Sequence, residues 1–219
     1  MNDTSCWTRQ LADKRGREVV FLSHCLLNEN TRYLGGACER GASPPIVRTC
    51  LERGYGIVQM PCPEQHAWGG VVKRHLLRYY GSKGTLVGRL LFAALPLLLW
   101  YTRRVYRGLA RQVAGQIRDY VDSGFKVVGV VAVDGSPSCG AARTLDVRGC
   151  LGRLAAIEPS ASAQDVNAIV LRSVMPGKGV FIEELQAELK RLRLNVEFLG
   201  FDLAAELKGQ PGAPSFCDN

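Results

Sequence analysis

The chain has 219 residues, 47% of them hydrophobic and 22% charged, and its 28 Lys and Arg against 20 Asp and Glu give a formal net charge of +8. This length is enough for one domain with a sizeable core, and the composition excludes a disordered or collagen-like chain. Eight cysteines are too dilute for a small disulfide-bonded protein, and the polar residues 1–17 lack the apolar centre of a secretory signal. We therefore expect reduced thiols, a cytoplasmic location, one domain over residues 1–208 and a loose tail over 209–219.

The basic charge by itself indicates no specific nucleic-acid partner. The sequence has no run of five like charges and no motif of a nucleic-acid-binding module. An excess of eight positive charges is compatible with an ordinary solvated surface, so the charge alone does not decide the partner.

Four short apolar runs, each followed by turn-forming residues, predict β-strands. The runs are residues 19–22, 56–60, 127–133 and 196–199. Because these runs are apolar on both faces, they are typical of parallel strands that helices cover.

Amphipathic helices are predicted between the strands. They cover residues 46–53, 105–121 and 179–194, and one more, around 163–173, lies in an added segment over 141–176. Strands that alternate with helices predict a compact, Rossmann-like α/β fold in three layers, with a mostly parallel sheet.

Residues 90–101 (LLFAALPLLLWY), from Leu90 to Tyr101, form a run without a charged side chain, and Arg89 and Arg103 flank it. A membrane-spanning helix needs about 20 apolar residues, so this run is too short, and Pro96 interrupts it. Four interpretations stay open: buried core, a contact between two copies in a homodimer, a lid over a ligand, or a segment in a membrane interface.

Three cysteines, Cys25, Cys62 and Cys139, each follow the end of a predicted strand. Ligands of open α/β sheets bind beyond the carboxyl ends of the strands, so we expect these thiols to converge there. The chain has no Cys-x-x-Cys pair, which argues against a zinc ribbon, a thioredoxin site or a bacterial ferredoxin. Three soft ligands would leave one position of an iron–sulfur, copper(I) or zinc centre open, as catalysis requires. Buried, unreactive cysteines are the alternative.

The residues around these cysteines resemble a known enzyme family. The segments SHCLLNENTRY (23–33), PCPEQ (61–65) and VDGSPSCG (133–140) resemble, in the same order, motifs of the 2-thiouracil desulfidase family. The resemblance covers roughly residues 18–140 and is weak or absent beyond them.

The resemblance implies a cytoplasmic enzyme that holds a 4Fe–4S cluster with one open iron. The implied cluster ligands, which are also the metal ligands, are Cys25, Cys62 and Cys139. The sulfur of a thiocarbonyl substrate would bind the open iron, and water would replace it at carbon in a hydrolytic reaction without electron transfer. Glu64 falls at the position of the family's acid/base carboxylate, and Ser136 and Ser138 fall on its serine-bearing loop. Helix capping by Glu64 and turn formation around Pro137 are the alternatives for these residues.

The sequence departs from the family pattern where the substrate should bind. Asn28 replaces a glycine of the first motif, and residues 65–73 replace an expected Gly-Gly-Leu followed by Pro-Arg. We expect Asn28, Arg32 and Trp68 to line the substrate pocket, with Trp68 as a stacking platform or a plug. These changes indicate a divergent relative whose substrate is larger or more apolar than thiouracil.

A second function stays open from the sequence: a non-catalytic iron–sulfur or zinc protein that acts as a sensor, sulfur carrier or electron-transfer subunit. Such a protein would keep the three cysteines but would not need Glu64. Peripheral membrane contact through Leu90 to Tyr101 is compatible with either function.

Overall fold

The computed structural model describes residues 13–75, 85–154, 156–157, 160–210 and 212. The strands in these residues are β1 (Glu18–Leu22), β2 (Gly56–Gln59), β3 (Lys126–Asp134), β4 (Arg143–Leu145), β5 (Val174–Pro176) and β6 (Phe198–Asp202). The helices are α1 (His24–Leu27), α2 (Pro44–Glu52), α3 (Pro63–Ala67), α4 (Leu86–Ala93), α5 (Leu95–Asp122), α6 (Val147–Leu154), α7 (Ala163–Arg172), α8 (Val180–Arg191) and α9 (Leu203–Glu206). A 3₁₀ turn at Glu29–Thr31 follows α1.

The central sheet has the order β2-β1-β3-β6, and all its strands are parallel. Helices flank it, so the predicted Rossmann-like α/β fold with a mostly parallel sheet is confirmed. Because β1, β2 and β3 are neighbours and run in one direction, the loops after their carboxyl ends meet at one edge of the sheet. These loops carry the three predicted ligand cysteines.

The core forms where the apolar strands meet the apolar faces of two long helices. Phe21 of β1 and Val131 of β3 are fully buried. On the helices, Ile117 of α5 and Phe181 of α8 are fully buried as well. Burial of such side chains contributes about 1.5–3 kcal/mol each relative to the exposed state. The four-residue spacing of the apolar side chains on α5 explains why this helix packs against the core from Thr102 to Ile117.

The last strand differs from the prediction. β6 runs through Gly200 to Asp202, whereas the sequence predicted an end at this glycine. Gly200 pairs with Ala132 of β3, and a Cβ there would lie 2.5 Å from Asp134 Oδ2. The glycine therefore allows a close approach within the sheet and does not end the strand.

The segment over 141–176 holds more structure than predicted. The expected helix is present as α7, with a capping box between Ser162 and Asp165. In addition, β4 and β5 form an antiparallel pair, and α6 lies between them in the sequence. The tail predicted over 209–219 lies mostly outside the described residues, although the Gly212 carbonyl accepts a hydrogen bond from Asp202 N at 2.9 Å.

The apolar run over residues 90–101 is helical and exposed. α5 begins at Leu95, ten residues before the predicted start, because leucine favours helices and Pro96 stands in the first turn, where proline is tolerated. Leu97 and Trp100 are 67% and 62% exposed, which excludes the buried-core interpretation for them. In the part of the chain that the structure describes, no helix combines the length and apolarity needed to cross a bilayer.

Candidate active site

A cavity of about 700 Å³ lies beyond the carboxyl ends of β1, β2 and β3, and all three predicted ligand cysteines line it. Cys25 reaches it from α1, which directly follows β1. Cys62 is the N-cap of α3, and Cys139 lies in the loop after β3. The parallel sheet thus brings together three thiols that are far apart in the sequence.

The three thiols affect one another electrostatically. Burial raises the pKa of Cys62 to about 12, with Glu64 as the next contribution and Cys25 as a smaller one. Burial also raises the pKa of Cys139 well above its ordinary value, and Cys25 and Cys62 add to the shift. Three thiolates this close would repel one another, so a bound cation would be needed to hold all three deprotonated.

The spacing of the three thiols does not suit a single metal ion. Their Sγ atoms do not all lie within 4.8 Å of one another. In a tetrahedral zinc site, with Zn–S bonds near 2.3 Å, the sulfurs would be about 3.8 Å apart. Thiolates are ligands of iron–sulfur clusters, and a cluster in which each thiolate binds a different iron does not require them to lie this close together.

Glu64 stands in the first turn of α3, two residues after Cys62, and both of its carboxylate oxygens have partners. Ser138 Oγ donates to Oε1 at 2.9 Å, and Lys73 Nζ lies 3.1 Å from Oε2. The side chains of Glu64 and Lys73 are only 15% and 7% exposed, so water screens their attraction weakly. The ion pair and the hydrogen bond hold this carboxylate in place at the cavity.

The two serines have different hydrogen-bonding roles. Ser136 Oγ accepts from the backbone N–H groups of Ser138 and Cys139, at 3.3 and 3.1 Å, and so shapes the loop around Pro137. Ser136 Oγ also lies 3.0 Å from Ser138 Oγ. Because the single hydroxyl proton of Ser138 points to Glu64 in this arrangement, Ser136 donates to Ser138. The result is a chain of hydroxyls that ends on the carboxylate.

Lys73 is a site residue that sequence reasoning missed. Its ammonium group also donates to the carbonyl of Thr31 at 2.9 Å, so it connects the loops after β1 and β2. Burial alone would lower the pKa of Lys73, but the charge of Glu64 and its hydrogen bond, together with smaller contributions from Cys62 and Cys25, raise it. Lys73 has a positive φ of 52°, a strained backbone conformation of the kind that accumulates at functional sites. The feature of the sequence that could have identified Lys73 is its position after Gly69, Gly70 and two valines, where it is the first charged residue.

Tyr106 of α5 is the second residue that the sequence did not identify. Its side chain is buried close to Ser138, Glu64 and Cys139. Burial raises the pKa of Tyr106, and the negative charges of Glu64 and Cys139 add to this shift. In the sequence, this tyrosine is simply one more large residue on a helix with an apolar stripe.

Arg32, predicted to bind substrate, lines the cavity with a side chain that is only 3% exposed. Its Nη1 atom pairs with Glu206 at 2.6 Å and with Glu29 at 3.1 Å. Its Nε and Nη2 atoms are buried and have no hydrogen-bond partner among the described residues. Buried donors without a partner are costly, and these two atoms are enclosed by protein, so they are unpaired without being open to the cavity.

Of the other two residues predicted to bind substrate, Trp68 lines the cavity and Asn28 does not. Trp68 lines the cavity, and its Nε1 donates to Thr102 Oγ1 of α5 at 3.2 Å. Asn28 is not among the lining residues. Its side chain instead accepts from Asn30 N at 3.2 Å and caps the 3₁₀ turn. A capping role therefore explains an asparagine at this position without a substrate contact.

The side of the cavity formed by α6 and α7 is apolar. Its aliphatic lining residues are Leu145, Val147, Leu151, Leu154, Ile157, Val166 and Val170. The cavity therefore combines a polar end, with thiols, a carboxylate and a guanidinium, and an apolar chamber.

A second group of metal-ligand types consists of Glu29, Cys38 and Glu206, whose ligand atoms lie within 4.8 Å of one another. Arg32 Nη1 already pairs with both carboxylates, so the positive charge that a cation would bring is supplied by the protein. We interpret Glu29 and Glu206 as the ion-pair partners that hold the Arg32 side chain in place.

Gly140 allows the tight turn after Cys139, and we expect Gly140→Ala to destabilise the fold by about 1–3 kcal/mol. A Cβ at this position would overlap the carbonyl oxygen of Arg143. The matched control is Gly115→Ala on α5, where a Cβ meets nothing within 4 Å and alanine favours the helix. Urea denaturation of both variants measures the difference; equal stability of the two would contradict the close packing at Gly140.

Over 50 residues, the chain is 38% identical to an uncharacterized protein of Methanocaldococcus jannaschii. The match covers 23% of this chain and 32% of the archaeal protein, about a third of that relative's length. No family model matches the chain, and no solved structure matches it significantly. The likeness to the archaeal protein therefore assigns neither a family nor an activity, and the function has to be argued from the cavity itself.

Proposed function

We propose that the protein is an iron–sulfur-dependent desulfidase that hydrolyses the C=S bond of a thiocarbonyl compound. One observation carries the proposal: three thiols and the ion-paired carboxylate of Glu64 line the same cavity. The three motifs that resemble the 2-thiouracil desulfidase family contain these four residues, which supports the same conclusion.

The donor set fits a 4Fe–4S cluster with three protein ligands. Cys25, Cys62 and Cys139 would hold it. Burial raises the pKa of the Cys25 thiol, and the positive charges of Arg32 and Lys73 offset this rise only in part. Such a cluster, when bound, supplies an iron with an open position that acts as a soft Lewis acid toward sulfur.

Glu64 is the residue placed to act as general base. Its carboxylate takes a proton from the water molecule that attacks the thiocarbonyl carbon, and the ion pair with Lys73 holds the carboxylate in position. The water oxygen forms the new C–O bond, the C–S bond breaks, and the sulfur leaves as hydrosulfide. The reaction needs no oxidant or reductant, because carbon keeps its oxidation state. Ser138 holds Glu64 Oε1 by a hydrogen bond, and Glu64 then releases its proton to solvent, so that C=S and water give C=O, hydrosulfide and one proton.

The rest of the cavity indicates the class of substrate. Arg32 supplies positive charge at the polar end of the cavity, which suits a substrate with a carbonyl or ring acceptor next to the thiocarbonyl group. The apolar chamber along α6 and α7 suits a hydrophobic substituent on the same molecule. A cavity of about 700 Å³ would leave a bare thiouracil ring loosely held, so the structure favours a larger, more apolar thiocarbonyl compound.

Anaerobic reconstitution, followed by iron and sulfide analysis, tests the proposal. We expect about four iron and four sulfide per chain. We also expect sulfide release from 2-thiouracil and, at a higher kcat/KM, from 6-propyl-2-thiouracil, because the propyl group fills the apolar chamber. A colourless protein after reconstitution would overturn the proposal. A full cluster without sulfide release from either compound would instead support the non-catalytic iron–sulfur function.

A further inference from the structure

The helical region over residues 86–101, here called the apolar arm, exposes large hydrophobic side chains on every face. Its end contains five consecutive residues that are 40–67% exposed: Leu97, Leu98, Leu99, Trp100 and Tyr101. Successive residues of an α-helix point about 100° apart, so these five cover the whole circumference. Leu86 and Leu90, at 72% and 65% exposed, extend the apolar surface toward the start of the arm.

The arm ends where α5 joins the body of the protein. Thr102 and Tyr106 are buried, and Arg103 and Arg107 pair with Glu184 of α8 at 2.6 and 2.8 Å. These contacts hold α5 firmly from Thr102 onward, whereas the exposed side chains of the arm have no such cover.

Positive charge is concentrated around the arm. Residues 65–118 contain ten Lys and Arg and no Asp or Glu, so this segment carries +10. The rest of the chain, with 18 basic and 20 acidic residues, carries −2. Arg89 and Arg104, one at each end of the apolar run, are exposed and make no salt bridge with the described residues. The partner of this surface should therefore be both apolar and negatively charged.

A lipid surface fits these features better than a second copy of the chain. A helix that packs against one partner buries a single stripe, whereas a lipid interface can cover an arm that is apolar all round. Two copies would also bring their segments of +10 together, which is unfavourable. Trp100 and Tyr101 next to Arg103 and Arg104 follow the pattern of aromatic and basic residues at membrane interfaces.

The positions of the arginines indicate how the arm would lie. Arg89 and Arg104 are 15 residues apart, which is about 22 Å along a helix. Arginines at both ends would keep both ends at the level of the lipid headgroups, with the apolar run between them below that level. We propose that the apolar arm lies in the surface of an anionic lipid bilayer, attaching the protein peripherally. This inference does not depend on the proposed enzymatic function.

Vesicle flotation of the full chain tests the proposal. We expect flotation with vesicles of phosphatidylcholine and phosphatidylglycerol in equal amounts, about tenfold less with phosphatidylcholine alone, and a decrease at high salt. The double variant Leu97→Gln/Trp100→Gln should lose at least about tenfold of the binding, because both side chains are exposed and contribute to the lipid contact only. Leu51→Gln is the matched control, since Leu51 is 69% exposed but lies on α2, outside the arm.

Circular dichroism melting shows whether the variants fold as the wild type does. Absence of flotation with either vesicle, or equal flotation of wild type and the double variant, would overturn the proposal. A wild-type dimer that becomes a monomer in the double variant and does not float would assign the arm to self-association instead.

Discussion

Each of the substitutions Cys25→Ser, Cys62→Ser and Cys139→Ser should lower the iron and sulfide retained after anaerobic reconstitution by more than about tenfold. A serine oxygen is a harder donor than a thiolate and binds iron of a cluster less well, while its size differs little from that of cysteine. Each thiol follows a different strand, so no neighbouring cysteine can replace it without moving a strand end. Iron and sulfide analysis on anaerobically purified protein measures the effect.

The matched control is Cys150→Ser. Cys150 is buried and lines the same cavity, but it stands on α6, away from the strand ends. We expect this variant to keep its iron and sulfide. Loss of the cluster in Cys150→Ser together with its retention in Cys62→Ser would show that the ligand set is wrong.

Glu64→Gln should lower kcat for sulfide release by about 10²-fold or more while the iron and sulfide content stays unchanged. Glutamine keeps the shape of the side chain and can still accept the hydrogen bond from Ser138, but it cannot take a proton from water. Sulfide release under saturating substrate, together with metal analysis, separates the loss of the base from loss of the cluster.

Two further variants make this result specific. Glu183→Gln on α8 removes an exposed carboxylate far from the cavity lining and should leave kcat unchanged. Lys73→Met removes the cation beside Glu64 and should also lower kcat, because the carboxylate then loses the ion pair that positions it at the cavity. Full activity of Glu64→Gln would exclude Glu64 as the base.

The main strands could be predicted because their signal is local. In β1 and β3, consecutive Val, Phe and Leu side chains are all buried, and such a run has few stable arrangements other than a covered parallel strand. Only the first part of β6 was predicted. A glycine in a sequence looks the same whether it ends a strand or allows close packing within one, so the continuation through Gly200 could not be recognised. The pair of β4 and β5 joins short segments about 30 residues apart, and neither is apolar enough to be recognised alone.

The candidate site, too, could be predicted only in part. The convergence of Cys25, Cys62 and Cys139 on one cavity follows from their positions after parallel strands, so it could be predicted. The partners of Glu64 could not. Ser138 is 74 residues away from it along the chain, and Lys73 reaches it from a strained turn that no pattern predicts. Asn28 shows the reverse case: a polar residue three positions after Cys25 was expected in the pocket, but its side chain caps a local turn.

The sequence by itself determined the class of fold and the convergence of three thiols beyond the carboxyl ends of the strands. Those features depend on residue types and on their spacing over a few positions, and both can be read from the sequence. Only the tertiary structure decided which groups surround the thiols, that Arg32 keeps two buried donors without a partner, and that the apolar run from Leu90 to Tyr101 is an exposed arm. The reason is physical: hydrophobicity shows that a side chain prefers to leave water, whereas its actual partner depends on contacts between residues far apart in the sequence.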